Sequence, residues 1–215
     1  MKNKFYIIIL IFFFDNLFAE TLSINAKNIT FDKNTNISIF EDEVVVRTKN
    51  KVLKSDFAKY EREKGFLILR KNISVIDEKN NKMTTDYAEY FEKKQVLKTV
   101  GSTLVSTNEG YILEGNDLFV DNKEQIIRSD EKSILKDQDG NLIFLDNFEY
   151  SVKGSLFKSI GLIEIQDYKK NKYEFSQVYI DTKKKEILGT DSKTYFNDDE
   201  FKINPKNNPR IFSNT

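Results

Sequence analysis

A nine-residue outline returns along this chain at a nearly constant interval. It begins at Ile24 (INAKNITFD) and recurs at Leu53 (LKSDFAKYE), Met83 (MTTDYAEYF), Leu113 (LEGNDLFVD), Ile143 (IFLDNFEYS) and Tyr173 (YEFSQVYID), at offsets of 29, 30, 30, 30 and 30 residues. A fixed period of this size confines the chain to stacked repeat architectures. In these no copy buries its apolar face alone, and each is stabilised by its neighbours.

Within a copy the hydrophobic period is two. The sixth and eighth positions read Ile29/Phe31, Ala58/Tyr60, Ala88/Tyr90, Leu118/Val120, Phe148/Tyr150 and Val178/Ile180, with mostly polar residues between. Alternation of this kind among β-branched and aromatic residues predicts half-buried strands. A second apolar run follows at Ile37/Ile39, Phe66/Ile68, Val96, Ile126, Leu156 and Ile187/Leu188. A third is Val44/Val46, Ile73/Val75, Thr103/Val105, Ser133/Leu135, Ile163/Ile165 and, fitting least well, Lys193/Tyr195. Asp, Asn, Lys and Gly between the runs suit hairpin turns. A second turn is expected where Gly101 and Gly161 share a repeat position with Asp42, Lys71, Glu131 and Asp191. Lys183-Lys184-Lys185 reads as a solvated turn tip.

The fourth position is Lys27, Asp56, Asp86, Asn116, Asp146 and Ser176. Short polar side chains in mid-strand predict a bulge or corner, where the strand bends from one sheet to another. The alternative, a row of metal or sugar ligands, is disfavoured because a bent strand needs such residues in any case. The expected fold is therefore all-β: two antiparallel sheets with facing inner surfaces, as a β-solenoid or an open β-jellyroll of about six 30-residue repeats.

Such an array leaves its first strand as an edge. Ile24, Ala26, Ile29 and Phe31 lie on it, with Lys27 its one in-strand charge, so it is poorly protected and suited to pairing with a partner.

Composition removes several functions. The chain has no cysteine and no histidine, which excludes thiol nucleophiles, disulfides, Cys/His zinc sites and histidine acid/base chemistry. Lys+Arg and Asp+Glu are 34 each, a balance that gives no electrostatic footprint for nucleic acid. No isolated carboxylate pair stands out from the repeating pattern, so an enzyme is not expected, nor is a metal or cofactor.

At the N-terminus Lys2 and Lys4 precede the apolar run FYIIILIFFF, and Ala19 offers a cleavage site. This is the pattern of a secretory signal peptide over 1–19. As a helix, ten residues would cover about 15 Å, half of a bilayer core of about 30 Å. The domain expected after it is 20–203, followed by a Pro/Asn-rich tail at 204–215 (NPKNNPRIFSNT).

The outline apolar-x-small-Asp/Asn-x-Ala/Leu/Val-x-Tyr/Phe-Asp/Glu, followed by a hairpin and a Val-rich strand, resembles the OstA-like family of lipopolysaccharide transport. SINAKNITFDKNTNISIFEDEVVVRT, KSDFAKYEREKGFLILRKNISVID and TTDYAEYFEKKQVLKTVGSTLVST carry the resemblance, which spans about Leu22 to Phe196.

The resemblance implies a twisted β-jellyroll that binds lipopolysaccharide and passes it across the periplasm to the outer membrane, with the acyl chains in an apolar interior. On that reading Ile29, Phe31, Tyr60, Phe66, Ile68, Tyr90, Val105, Leu118, Val120, Phe148 and Tyr150 line the interior. The edge strand pairs with other Lpt-type jellyrolls, and an outer-membrane β-barrel with its lipoprotein plug is a further implied partner. The tail is similar to the segment joining an LptD N-terminal domain to its barrel, although the barrel and the cysteines that tie the two are missing from this sequence. A free-standing LptA-like bridge is the alternative, and a secreted β-repeat protein, structural or acting on polysaccharide, is another.

Overall fold

The computed structural model describes residues 23–47, 51–108, 110–181, 183–184, 186–197 and 210–213. The expected signal peptide and most of the tail lie outside the described residues, as does Lys185.

The architecture is all-β and antiparallel throughout, with nineteen strands among the described residues. The chain opens with β1 (Ser23–Asn25) and β2 (Asn28–Asp32). Four long strands follow: β3 (Ile37–Arg47), β4 (Lys51–Glu61), β5 (Phe66–Asp77) and β6 (Lys82–Phe91). Shorter strands occupy the middle: β7 (Val96–Thr99), β8 (Ser102–Ser106), β9 (Ile112–Asn116), β10 (Phe119–Asp121), β11 (Ile126–Ser129), β12 (Ser133–Lys136), β13 (Leu142–Leu145) and β14 (Phe148–Ser151). The chain closes with β15 (Leu156–Gln166), β16 (Lys172–Asp181), β17 (Glu186–Thr190), β18 (Ser192–Tyr195) and β19 (Arg210–Ser213).

Each long strand serves two sheets, because its pairing register breaks in the middle. The breaks fall between Glu41 and Val44 in β3, Lys54 and Phe57 in β4, Arg70 and Ile73 in β5, and Ile160 and Ile163 in β15. The residues at the breaks take left-handed backbone angles: φ is 63° at Asp42, 63° at Lys71, 80° at Gly101, 120° at Gly161 and 51° at Asp191. A residue of this kind bulges a strand and bends it without reversing it. The expected second turn is thus a corner within a continuous direction of travel.

The fourth-position residues sit at the same corner and tie it together. The Asn72 side-chain amide donates to the Asp56 carboxylate at 2.8 Å, the Leu162 backbone N–H to that of Asp146 at 3.1 Å, and the Ser176 hydroxyl to that of Asp191 at 2.6 Å.

The pairings resolve into two ladders that meet at the corner. One sheet runs from β2 through β3, β4, β5, β6, β7, β10, β11, β14, β15 and β16 to β17. The other runs from β1 through the remaining halves of β3 to β6, then β8, β9, β12, β13, β15, β16 and β18 to β19. Among the described residues β1, β2, β17 and β19 each have one strand neighbour, so the array has open ends. The expected linker contributes to this: Arg210–Ser213 pairs along β18 and forms the final strand.

The register fixes which residues face inward. In the first sheet one rung passes through Phe31, Ser38, Tyr60, Leu67, Tyr90 and Leu97, then on to Val120. In the second sheet a rung passes through Ile24, Val46, Leu53, Val75, Met83 and Val105, then on to Leu113. These rungs supply much of the single hydrophobic core between the sheets.

Candidate functional site

The side of the jellyroll opposite the corner is built from two rows of hairpin turns. The row on the second sheet uses one device repeatedly. In Asp77–Asn81, Asp137–Asn141 and Asp167–Asn171 the aspartate accepts the backbone N–H of the asparagine at 2.8 Å in all three. The asparagine amide also donates to the same carboxylate. The asparagine Oδ1 then reaches the next turn: Asn81 accepts from Asn108 N–H at 3.1 Å, Asn141 from Tyr168 N–H at 3.0 Å and Asn171 from Asn197 N–H at 2.8 Å. This pattern of Asp and Asn four apart, in the repeat phase, was readable in the sequence but hidden under generic turn composition. Each bond stitches one repeat to the next, and Asn81 and Asn141 are buried in doing so. Buried polar groups persist only when satisfied in this way, and among the described residues no buried side-chain N or O lacks a partner.

Between the sheets lies a hollow of about 120 Å3. One small side chain, Ala88, lines it and is fully buried. The rest of the wall is aliphatic, with Leu53, Leu67, Val75, Met83 and Leu113 prominent.

Polarity is confined to its two borders. Towards the corner, Thr103 donates to Thr99 at 2.8 Å, and Thr99 accepts the Leu118 N–H at 3.0 Å, which closes that side. Towards the open side the wall ends at Lys51 and Asn122. Here the Tyr60 hydroxyl donates to Glu92 at 2.9 Å. The Tyr90 phenol, which lines the hollow, is pushed up to about 12 by burial and then by the charge of Glu92. The arrangement is an apolar slot with a polar rim.

The residues expected to line the interior divide into five groups. Tyr90, Val105, Leu118 and Val120 line the hollow. Tyr60 is half-buried against the core and stands at the rim. Phe148 and Tyr150 face inward and are buried, but beyond the hollow. Ile29 and Phe31 share the inner face of the edge strand, where with one neighbour they stay 59% and 50% exposed.

Phe66 and Ile68 require correction. Phe66 is opposite Glu61 and Phe91, and Ile68 opposite Lys59 and Glu89, so both lie on the outer face. The run Phe66-Leu67-Ile68-Leu69 is apolar on both faces, so alternation cannot choose a register for it. Pairing with Ala58 and Tyr60 chooses Leu67 and Leu69 for the interior. Most of the second apolar run faces out for the same reason. Ile24 and Ala26 lie partly buried at the N-terminal edge.

The third run slips in the last copy. Thr194, rather than Tyr195, is opposite Tyr173, and Ile211 is opposite Thr194. A one-residue slip reverses the faces, so Lys193 and Tyr195 point outward and Tyr195 meets Phe212 edge-on at 6.1 Å. Among the described residues no cluster of Asp and Glu could hold a metal ion.

No protein-family model matches this chain, and no curated protein does. Among solved structures it is similar to LptH, the LptA-homologous periplasmic component of the conserved lipopolysaccharide transport device from Pseudomonas aeruginosa. The identity is 11% over 80% of this chain and 82% of that one, with a TM-score of 0.22. A likeness of this size leaves function to be argued from the residues of the chain itself.

Proposed function

We propose that this protein is a non-catalytic lipid carrier of the periplasm. It binds lipopolysaccharide with an acyl chain between its two sheets and passes it towards the outer membrane. The aliphatic hollow beside a polar rim is the observation that carries this reading. Burying a methylene is worth about 0.8 kcal/mol, so an acyl chain of about a dozen carbons would forgo on the order of 10 kcal/mol if it crossed water unprotected. A slot of about 120 Å3 is smaller than the roughly 300–1,000 Å3 of a drug-sized pocket. It takes part of one narrow chain at a time.

Within this reading the chain acts as an LptD-type N-terminal domain, with a free-standing LptA-like bridge as the alternative. The reading frame beyond Thr215 separates the two: amphipathic strands of a barrel would support the first, and a stop codon the second. The N-terminal edge strand β2 receives the last strand of another jellyroll. Its Ile29 and Phe31 are exposed on the face that continues the interior, which supports this use. Ile29→Pro removes a ladder donor and is expected to abolish that docking in a folded protein.

The test of lipid binding is photo-crosslinking. A photoreactive residue at Leu113 or Tyr90 is expected to capture lipopolysaccharide, whereas one at Ile68 on the outer face is not. Failure of every lining position to capture it, in folded protein, would remove the lipid reading and leave a structural repeat protein that acts only through its edges.

A further inference from the structure

The outer face of the first sheet carries a charge ladder with one rung missing. Strands β7, β11 and β15 present a cation at one fixed phase of the repeat: Lys98, Arg128 and Lys158. In cross-strand register the row reads Glu89, Lys98, Phe119, Arg128, Glu149 and Lys158. Glu89, Phe119 and Glu149 all occupy the seventh position of the repeat. A phenylalanine therefore stands where the copies on either side place a carboxylate, and it stands between two cations.

The neighbouring carboxylates do not make good the loss. Glu149 is held by Lys158 at 2.8 Å, and Glu89 accepts the Tyr87 hydroxyl at 3.0 Å. Among the described residues neither Lys98 nor Arg128 forms an ion pair, and the contacts of both heads are with rings. The Arg128 guanidinium carbon lies 4.7 Å from the Phe119 centroid. Lys98 Nζ lies 5.8 Å from that centroid and 5.7 Å from the centroid of Phe91. An aromatic face attracts a cation but does not cancel its charge. β7 and β11 are two strand intervals apart, about 10 Å, so two long side chains approach one ring from opposite sides. Phe119 and Arg128 are half-buried and Lys98 is exposed. On its other side Arg128 borders a small cleft with Asp130, Glu149 and Lys158, where the charges balance. The uncompensated charge lies on the Phe119 side.

We propose that Lys98 and Arg128 form an oxyanion site on the outer face, with Phe119 as its floor, and that it takes a phosphate monoester. Two cations without a carboxylate match the charge of a dianion, and a guanidinium held over a ring keeps its N–H fork for two parallel bonds to oxygens. A single carboxylate would leave one cation unmatched. The phosphate comes from a lipid headgroup or from a soluble ester. The site faces away from the hollow, so it does not depend on acyl-chain binding.

The experiment titrates inorganic phosphate into the folded chain at low ionic strength and follows the amide resonances of Phe119 and Arg128. The shifts are expected to saturate with a Kd on the order of 1 mM. Arg128→Gln and Lys98→Gln should each weaken binding by at least about tenfold. Phe119→Glu supplies the missing carboxylate and should abolish it. Lys82→Gln, on the outer face of the second sheet, removes the same charge elsewhere and should leave it unchanged.

Flotation with phosphatidylcholine vesicles that contain phosphatidic acid separates the two sources. Vesicle binding that Arg128→Gln abolishes assigns the site to a lipid phosphate. Vesicle binding that survives this change, or none, assigns it to a soluble ester. Lys98→Gln, at an exposed position, carries the test if the other variants do not fold. Failure of inorganic phosphate to saturate the shifts overturns the site, as does equal affinity in wild type and Lys98→Gln; either result leaves the lipid reading standing.

Discussion

The hollow can be tested by filling it. Ala58 on β4 and Ala88 on β6 are both fully buried, one on either side of Leu69 of β5 in the first sheet, but only Ala88 lines the space. Leucine adds three carbons to either site, worth about 2.4 kcal/mol of apolar burial at about 0.8 kcal/mol each. The space sets its own ceiling: about 120 Å3 at about 24 cal/mol per Å3 is about 2.9 kcal/mol. Losing leucine rotamer freedom costs about 0.5–1 kcal/mol, and imperfect fit takes more. Ala88→Leu is therefore expected to stabilise the fold by about 1 kcal/mol, and Ala58→Leu, with no room, to destabilise it by about 1–3 kcal/mol. Urea unfolding at unchanged m-value reads both, and dodecanoate binding should be lost in Ala88→Leu. A loss of more than about 1 kcal/mol in Ala88→Leu, of the size expected for overpacking, would show that the space is not available. Full retention of dodecanoate binding in that variant would show that the space is not the binding site.

Gly189→Ala should destabilise the fold by about 1–3 kcal/mol in the same urea assay, because its Cβ would occupy the Phe175 ring. Asn141→Ala removes the amide bond to Asp137 and the acceptor for the Tyr168 N–H; it should cost about 1–3 kcal/mol and raise hydrogen exchange at Tyr168 first. Hydrogen bonds from Lys59 and Lys64 hold the Glu61 carboxyl at about 2, against an ordinary 4.5. A depressed carboxylate contributes stability above its unfolded value and loses it as pH falls through the folded one. The urea midpoint of wild type should therefore exceed that of Glu61→Gln above 4.5 and converge with it towards about 2; a gap independent of pH would assign the effect to packing.

The sheet that carries the sixth and eighth positions was legible because its strands alternate cleanly. Ala58-Lys59-Tyr60 and Val178-Tyr179-Ile180 leave one reasonable inner face, and the pairing adopts it. The corner was legible for a different reason: a polar residue such as Asp56 or Asp146 interrupts an apolar alternation where only a bend makes sense of it. Two features resisted. Phe66 to Leu69 is apolar on both faces, so its register is a tertiary decision made by the neighbouring strand. The last copy is shortened at its corner. Successive inner residues fall four apart at Phe40 and Val44 and at Leu69 and Ile73, whereas the pairing of Thr194 with Tyr173 brings Ser192 inward three residues after Gly189. One residue fewer in a bulge reverses every side chain that follows.

The hollow resisted for a subtler reason. Alternation says which residues face in, but not how much room they leave. Ala88 and Phe148 occupy the same repeat position and satisfy the same apolar pattern. Their volumes place them on opposite sides of the boundary between slot and solid core. A repeat in which every copy had Ala at the sixth position and a small residue at the third would build a uniform tube. One with Phe at both would build a dry sandwich. This chain has the first composition in its second and third copies (Ser55/Ala58, Thr85/Ala88) and larger side chains at both positions in its last two (Leu145/Phe148, Phe175/Val178), so the backbone ladder is continuous from end to end while the space inside it is not. Any pathway for an acyl chain in this protein is therefore set by side-chain volume along two rungs, and the strand ladder alone does not define it.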